Sequence, residues 1–190
     1  MPIKPKHKTD EIPTKIKKED IFRTPRYAIE LLIPYIPKEY KDIWECAAGE
    51  GHISKVLEEH KFSVKETDID GQSNYWNFLS LGFPDITWNC IITNPPFSLK
   101  RKFFEKCIES NKPFALLIPF DMCGWMWNAF DKYNCQGLVP SRRISFITPT
   151  GKSGKNSSAQ FHSFWLTRFF NLPKQLTTIE LSIEDKERIF

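Results

Sequence analysis

The stretch that decides the fold is Trp88-Asn89-Cys90-Ile91-Ile92-Thr93, followed directly by Asn94-Pro95-Pro96-Phe97. Its first half is mostly apolar and predicts a buried strand. The two prolines end that strand, because proline has a fixed φ and no N–H to give to a sheet, and the residue before a proline is held extended. We therefore expect the Asn94 amide at a fixed place beyond the carboxyl end of a strand, where open α/β sheets bind ligands.

A glycine-rich loop lies upstream of this turn, between two further apolar segments. Residues 43–47 predict a buried strand, residues 52–60 a helix and residues 62–67 a second strand. The loop after the first strand is Ala48-Gly49-Glu50-Gly51. A strand, a glycine loop, a helix and a strand followed by an acid are typical of a mononucleotide-binding unit. An ordinary strand-to-helix turn remains the alternative for the loop taken alone.

Helices and strands alternate along the remaining chain. Thr24 is a good N-cap and Pro25 a good first helical residue. The apolar periods predict helices at 25–36, 100–110 and 122–133, and strands at 88–93, 114–119, 137–140, 144–147 and 161–170. Continuous apolar strands that alternate with helices favour an α/β fold, with a mostly parallel sheet covered on both faces.

The positive charge of the chain is concentrated at its beginning. The 190 residues carry a net charge of +4, and residues 1–18 account for all of it with six lysines against two acids. We divide the chain into a basic flexible arm at 1–20, a folded domain at 21–170 and a polar C-terminal tail at 171–190. Attraction to a polyanion must come from the arm or from local basic clusters, and a merely solvated, disordered arm is the alternative.

Composition also excludes several classes of protein. No run of eighteen apolar residues and no signal-peptide pattern occurs, so we expect a soluble, cytoplasmic protein without a membrane partner. The five cysteines form no C-x-x-C pair and the four histidines show no ligand spacing, which favours reduced cysteines and no metal. Gly151-Lys152-Ser153 is not a P-loop, because Phe146 stands where the motif requires glycine.

Two acids follow the strands around the glycine loop. Glu45 lies near the end of the first predicted strand, and Asp68 directly follows the second. A carboxylate at the end of the second strand suits the hydroxyls of a ribose. Asp70 is the alternative to Asp68 for that role.

Together these motifs carry a resemblance. Glu45-x-Ala-Ala-Gly-x-Gly, Asp68, Asn77-Phe78-Leu79 and Asn94-Pro-Pro-Phe97 resemble the motifs of the S-adenosylmethionine-dependent amino-methyltransferases, and most closely those of adenine-N6 DNA methyltransferases. Phe22-Arg23-Thr24-Pro25 resembles the N-terminal motif of that family. The resemblance covers residues 22 to 165. It implies one Rossmann-like methyltransferase domain, with a twisted sheet and an antiparallel last strand.

The resemblance also implies a cofactor, S-adenosylmethionine, and the residues that bind it. Thr24, Pro25, Glu45 and the glycine loop would line its methionine moiety, and Asp68 would bind its ribose. Asn77 and Phe78 would read and stack its adenine, although Asn stands where the family has Asp; an amide oxygen can still accept a hydrogen bond. The full cofactor set is Thr24, Pro25, Glu45, Ala47, Gly49, Gly51, Asp68, Ile69, Asn77, Phe78 and Asn94.

The implied catalytic residues are Asn94, Pro95, Pro96 and Phe97. The Asn94 oxygen and the Pro95 carbonyl would accept the two hydrogens of an exocyclic amino group, and Phe97 would stack on the base. The implied partner is a nucleic acid, above all DNA with a flipped adenine. The cations that would grip its phosphates are Arg142, Arg143, Lys152 and Lys155. A plain surface connection is the alternative for residues 148–160.

Several functions remain open at this level. Enzymes with the same motif methylate adenine in RNA or the side-chain amide of a protein glutamine. In cytosine-N4 methyltransferases, the motif more often begins with Ser. A catalytically silent, nucleic-acid-binding subunit and a nucleotide-binding α/β module are alternatives of other classes. No segment is large enough for a target-recognition domain, so sequence readout is expected from loops, the arm or a partner. The oligomeric state is open.

Overall fold

The computed structural model describes residues 20–70, 74–121, 123–147 and 161–187. The helices are α1 (Arg26–Glu30), α2 (His52–Glu59), α3 (Lys100–Ser110) and α4 (Gly124–Tyr133). The strands are β1 (Asp42–Glu45), β2 (Ser63–Asp68), β3 (Asn74–Tyr75), β4 (Cys90–Thr93), β5 (Phe114–Pro119), β6 (Gln136–Pro140), β7 (Ser163–Arg168) and β8 (Leu176–Ile179). Short 3-10 helices lie at Ile33–Tyr35, Phe97–Leu99 and Asp185–Glu187.

The strands form one mixed sheet in the order β3-β2-β1-β4-β5-β7-β6-β8. Strand β7 runs antiparallel to both its neighbours, β5 and β6, and the other strand pairs are parallel. The predicted α/β fold, mostly parallel with an antiparallel strand at 161–170, is thereby confirmed. The chain moves outward from β1 to β3 and returns to β4 beside β1, so the topological switch point lies between β1 and β4.

Each central strand places alternate side chains on opposite faces of the sheet. Ile43 and Ile92 point to the face covered by α1 and α2, whereas Trp44 and Ile91 point to the face covered by α3 and α4. All four are fully buried. Burial on both faces explains why these strands are continuously apolar in sequence.

The first helix is shorter than predicted. It ends at Glu30, and a 3-10 turn that contains Pro34 follows it, since proline cannot continue the hydrogen-bond ladder of an α-helix. The expectation that Thr24 caps this helix is wrong. Pro25 occupies the N-cap position in an extended conformation, with φ −71° and ψ 148°, so the helix begins one residue later.

Three other elements differ from the sequence prediction. Residues 144–147 form no strand, and only Ile147 makes an isolated bridge, to Arg23; both edges of β6 are already paired, with β7 and β8. Residues 176–179, predicted as part of a polar tail, form the edge strand β8. An edge strand keeps one side in water and needs little apolar character. The short strand β3 was also missed. Of the predicted arm at 1–20, residues 1–19 lie outside the described residues, and Asp20 binds Ser98.

Candidate active site

A cleft opens at the carboxyl ends of β1, β2 and β4, on the two sides of the switch point. The predicted cofactor residues that line it are Thr24, Glu45, Ala47, Gly49, Asp68, Ile69, Asn77, Phe78 and Asn94. Pro25 and Gly51 do not line it, because Pro25 starts α1 and Gly51 closes the glycine loop at the start of α2. The topology therefore gathers on one cleft residues that are up to seventy positions apart in sequence.

The glycine loop brings backbone close to the cleft. Gly49 has φ +54° and Gly51 has φ +72°, both in the left-handed region that favours glycine. A methyl group added to Gly49 would meet no atom within 4 Å, so this glycine faces open space. One added to Gly51 would lie 2.8 Å from Oε1 of Glu66. Gly49 is thus the glycine that leaves room for a ligand.

Asp68 is fixed by two backbone donors. Its Oδ2 accepts from the N–H of Gly49 at 2.8 Å, and its Oδ1 accepts from the N–H of Asp70 at 2.9 Å. Its side chain is buried and lines the cleft. A carboxylate oxygen has two lone pairs, so each oxygen keeps acceptor capacity for a ligand hydroxyl. Asp70 lines the same cleft without such anchoring from the glycine loop.

Glu45 lies at the floor of the cleft and is almost completely buried. Its Oε2 accepts from the N–H of Ser54 at 2.9 Å and also from the Ser54 hydroxyl. Burial raises the pKa of the Glu45 carboxyl well above its ordinary value, and the hydrogen bonds from Ser54 oppose that shift. Ser54, in the first turn of α2, is a supporting residue that the sequence motifs did not single out.

The far end of the cleft differs from the predicted adenine site. The Asn77 oxygen already accepts from the backbone N–H groups of Leu79 and Ser80, at 3.1 and 3.3 Å. Phe78 is 3% exposed, because its ring stacks on Phe103 with 4.9 Å between ring centroids. Both residues therefore shape the wall, and neither presents a free group toward a flat ligand.

Trp76 is the aromatic residue left partly exposed at this end of the cleft. Its indole N–H donates to the carbonyl of Gly82 at 3.1 Å, which fixes the ring. No sequence motif indicated Trp76, because it precedes the Asn-Phe pair and has no position in that pattern.

The Asn-Pro-Pro-Phe turn follows β4 and presents Asn94 and Pro96 to the cleft, while Pro95 is buried behind them. The amide nitrogen of Asn94 donates to the carbonyl oxygen of Phe22 at 2.7 Å. A carbonyl can only accept, so this bond fixes which end of the amide is which. The Asn94 oxygen is buried and has no hydrogen-bond partner among the described residues. Such an unpaired buried acceptor costs about 1–3 kcal/mol.

Phe97 is covered by three other phenylalanines. The ring of Phe22 is stacked on it at 4.9 Å with an interplanar angle of 21°. Phe146 and Phe161 meet it edge-on, at 5.4 and 5.0 Å. Phe97 is consequently only 7% exposed and does not line the cleft as it stands. The sequence could not reveal this cluster, because its members are far apart along the chain.

Two of the predicted phosphate-binding cations, Arg142 and Arg143, do not line the cleft. Arg142 and Arg143 are exposed in the loop after β6, close enough to Lys186 for their charges to lower its pKa, although desolvation is the larger cause. Lys152 and Lys155 lie outside the described residues. In the part of the chain that the structure describes, no cluster of His, Cys, Asp or Glu could hold a metal ion, and no helix is long and apolar enough to cross a membrane.

Comparison with known proteins supports the fold. No family model matches the chain, and no curated protein matches it. Solved structures of methyltransferases do resemble it. A type I restriction-modification methyltransferase subunit from Streptococcus thermophilus is 12% identical, with a TM-score of 0.53, over 93% of this chain and 53% of that one. The 23S rRNA methyltransferase ErmE is 10% identical, with a TM-score of 0.51, over 78% of this chain and 69% of that one.

A modification subunit assigned to a type I restriction enzyme from Vibrio vulnificus is 12% identical, with a TM-score of 0.53, over 90% of this chain and 49% of that one. The chain thus spans about half the length of these two restriction-modification subunits. The likeness shows that this chain has the Rossmann-like methyltransferase fold.

Proposed function

We propose that this protein transfers a methyl group from S-adenosylmethionine to the exocyclic N6 amino group of adenine in DNA. The observation that carries the proposal is the Asn94 oxygen, which is buried, unpaired among the described residues and held on the cleft wall. A group kept unpaired at a cost calls for a ligand that supplies a donor. An amino group supplies that donor.

The cleft fits the proposed cofactor at three points. Gly49 leaves open space for close approach of a ligand to the backbone, and Asp68 holds two anchored carboxylate oxygens for ribose hydroxyls. Glu45 places an acid in the floor, where a cationic amino-acid end would meet it. We assign the cofactor adenine to the end lined by Trp76, where a partly exposed ring is available. Bound S-adenosylmethionine would supply an electrophilic methyl group.

Asn94 makes a weak nucleophile reactive by positioning. An exocyclic amino group is conjugated with its ring, so its lone pair is poorly available. Accepting one N–H at Oδ1 favours the tetrahedral nitrogen, whose lone pair then points at the methyl carbon. Bound S-adenosylmethionine would give up its methyl group to this nitrogen and leave as S-adenosylhomocysteine, and the nitrogen would release one proton to water. Positioning and fixed dipoles carry this effect, so no strong base is required.

Two observations bear on which molecule receives the methyl group and on whether the chain is catalytically active. The structural neighbours named above include subunits of restriction-modification systems and an rRNA methyltransferase, so adenine in RNA is the second candidate. A catalytically silent subunit would not need the Asn94 oxygen, a buried hydrogen-bond acceptor whose lack of a partner among the described residues costs stability.

Arg142 and Arg143 are exposed and are proposed to contact phosphates, as are Lys152 and Lys155.

The test uses S-adenosylmethionine with a labelled methyl group. Duplex DNA, single-stranded DNA, RNA and a protein extract are incubated separately, and labelled nucleosides are identified by mass spectrometry. We expect N6-methyladenine from DNA with the wild-type chain and none with Asn94→Ala. Calorimetry should show that Asn94→Ala still binds the cofactor. Label found only in protein, or full activity in Asn94→Ala, would contradict the proposal.

A further inference from the structure

Residues Asp20–Thr24 form a strap across the Asn-Pro-Pro-Phe turn. The Asp20 carboxylate accepts from the N–H of Ser98 at 3.2 Å and from its hydroxyl at 2.5 Å. Arg23 exchanges two backbone hydrogen bonds with Ile147, at 3.1 and 3.0 Å, and its guanidinium pairs with Glu50 of the glycine loop. Both ends of the strap are therefore attached.

Phe22 lies between these attachments and contacts the turn in two ways. Its backbone carbonyl accepts from the Asn94 amide, whereas its ring lies nearly parallel to Phe97, with 4.9 Å between centroids. Phe97 is 7% exposed, so neither face of its ring is open. A flat acceptor can stack on Phe97 only if a ring now in contact with it moves.

We propose that the ring of Phe22 is a gate. It covers the ring of Phe97 in the ligand-free protein and moves aside when the flat ring of a methyl acceptor stacks on Phe97. This inference rests on the proposed function, since it assumes an acceptor that stacks on Phe97. Phe22 is only half-buried, so its side chain can rotate into solvent. Its backbone carbonyl can keep its hydrogen bond to the Asn94 amide during that rotation, so the orientation of the amide does not change. The covered site opens without disturbing the amide.

The gate selects acceptors by the strength of their stacking. An incoming ring must replace the contact between Phe22 and Phe97, so a large flat base competes well. A glutamine side chain has no ring and cannot restore the lost stacking. Phe22 is thus a specificity-determining residue that favours a nucleobase over a protein amide.

The test measures binding of free adenosine to the full chain saturated with S-adenosylhomocysteine, which blocks the cofactor cleft. Phe22→Ala removes the competing ring and should bind adenosine about 2- to 10-fold more tightly than wild type, the range expected from one stacked aromatic pair. Phe22→Trp supplies a larger competing ring and should bind it more weakly. The matched control is Phe169→Ala, an exposed phenylalanine beyond the opposite end of β7, which should leave adenosine affinity unchanged.

An affinity order other than Ala above Phe above Trp would overturn the gate. Weaker binding in Phe22→Ala would mean that the ring is part of the acceptor site, and absence of binding in all variants would also overturn it. Thermal melting of each variant with bound S-adenosylhomocysteine separates a folding defect from a binding effect, and Phe22→Trp keeps the test valid if Phe22→Ala does not fold. If the expected order holds but wild type methylates no adenine, the gate stands and the proposed reaction fails.

Discussion

The backbone N–H of Gly49 donates a hydrogen bond to Oδ2 of Asp68 at 2.8 Å. This bond joins the loop after β1 to the end of β2, across two neighbouring parallel strands. It orients the carboxylate on the cleft wall and holds the loop against that wall. The glycine loop and the acid therefore act as one unit in the proposed cofactor site.

Asp68→Ala is expected to weaken S-adenosylmethionine binding about 10- to 100-fold, since hydrogen bonds to charged groups contribute about 1.5–3 kcal/mol each. It also leaves the N–H groups of Gly49 and Asp70 without their partner, so the melting temperature should fall. Calorimetry and thermal unfolding measure the two effects. Asp70→Ala is the control and should change affinity far less. Equal losses in both variants would return Asp70 to consideration as the ribose ligand.

Two glycine substitutions should separate binding from folding. In Gly49→Ala the new methyl group enters the open cleft, so cofactor affinity should fall, along with about 1–2 kcal/mol of stability from the left-handed backbone. Gly51→Ala carries the same backbone strain and meets the Glu66 side chain instead. It should lose stability with little change in affinity. Chemical denaturation and calorimetry give both quantities, and a reversed pattern would show that Gly51 borders the ligand.

Glu45 should make the stability of the ligand-free protein depend on pH. Its folded-state pKa lies well above the ordinary value of 4.5 because of burial, so the folded state holds a proton that the unfolded state releases. The contribution of Glu45 to stability is then greatest below that ordinary value and is lost as pH rises through the raised pKa. Urea denaturation across pH should show this decline in wild type, and Glu45→Gln should flatten it.

A cationic ligand should reverse the preference of Glu45 for its protonated form. S-adenosylmethionine affinity is expected to rise with pH in wild type, with proton release on binding, and to become weaker and less pH-dependent in Glu45→Gln. His52 also lines the cleft, and its pKa is lowered, chiefly by desolvation, so His52→Gln serves as the control. An unchanged pH profile in Glu45→Gln would show that another group releases the proton.

Trp76 and Phe78 should respond in opposite ways to truncation. Trp76→Ala removes a partly exposed ring from the cleft and should weaken cofactor binding about 5- to 100-fold, the range for one base–aromatic stack. The Trp76 ring is only partly buried against the core, so the loss of stability should be smaller than in Phe78→Ala. Phe78→Ala removes a buried ring from the core and should cost about 3–5 kcal/mol of folding free energy. Isothermal titration and denaturation curves distinguish them. Loss of affinity without loss of stability in Phe78→Ala would restore its predicted stacking role.

How much the sequence predicts depends on how local the signal is. The bounds of β5 and α3 match the predicted ones, because continuous apolar burial and a helical period are local patterns. Strands β3 and β8 were missed because a short edge strand is stabilised mainly by pairing with its neighbouring strand, so its own residues carry little apolar pattern. Ile144 and Phe146 are apolar for the opposite reason: they pack in the core although they belong to no strand.

Within the candidate site, the sequence predicted which residues lie together, but it did not predict their hydrogen-bond partners or their stacking contacts. Motif spacing placed Glu45, Asp68 and Asn94 on one cleft because the carboxyl ends of parallel strands share one edge of the sheet. The unpaired Asn94 oxygen and the ring stacked on Phe97 depend on Phe22, more than seventy residues away in sequence. Such a long-range contact has no period or motif to reveal it.

The reversed direction of β7 has a consequence for how this chain can change. Ile147 bridges to Arg23 in the strap, and Phe161 contacts Phe97, so residues 147 and 161 both lie close to the Asn-Pro-Pro-Phe turn. The strands that build the cofactor cleft, β1, β2 and β4, lie elsewhere in the sheet. Under the proposed function, substitutions at 148–160 are therefore expected to alter the choice of methyl acceptor more than the affinity for S-adenosylmethionine.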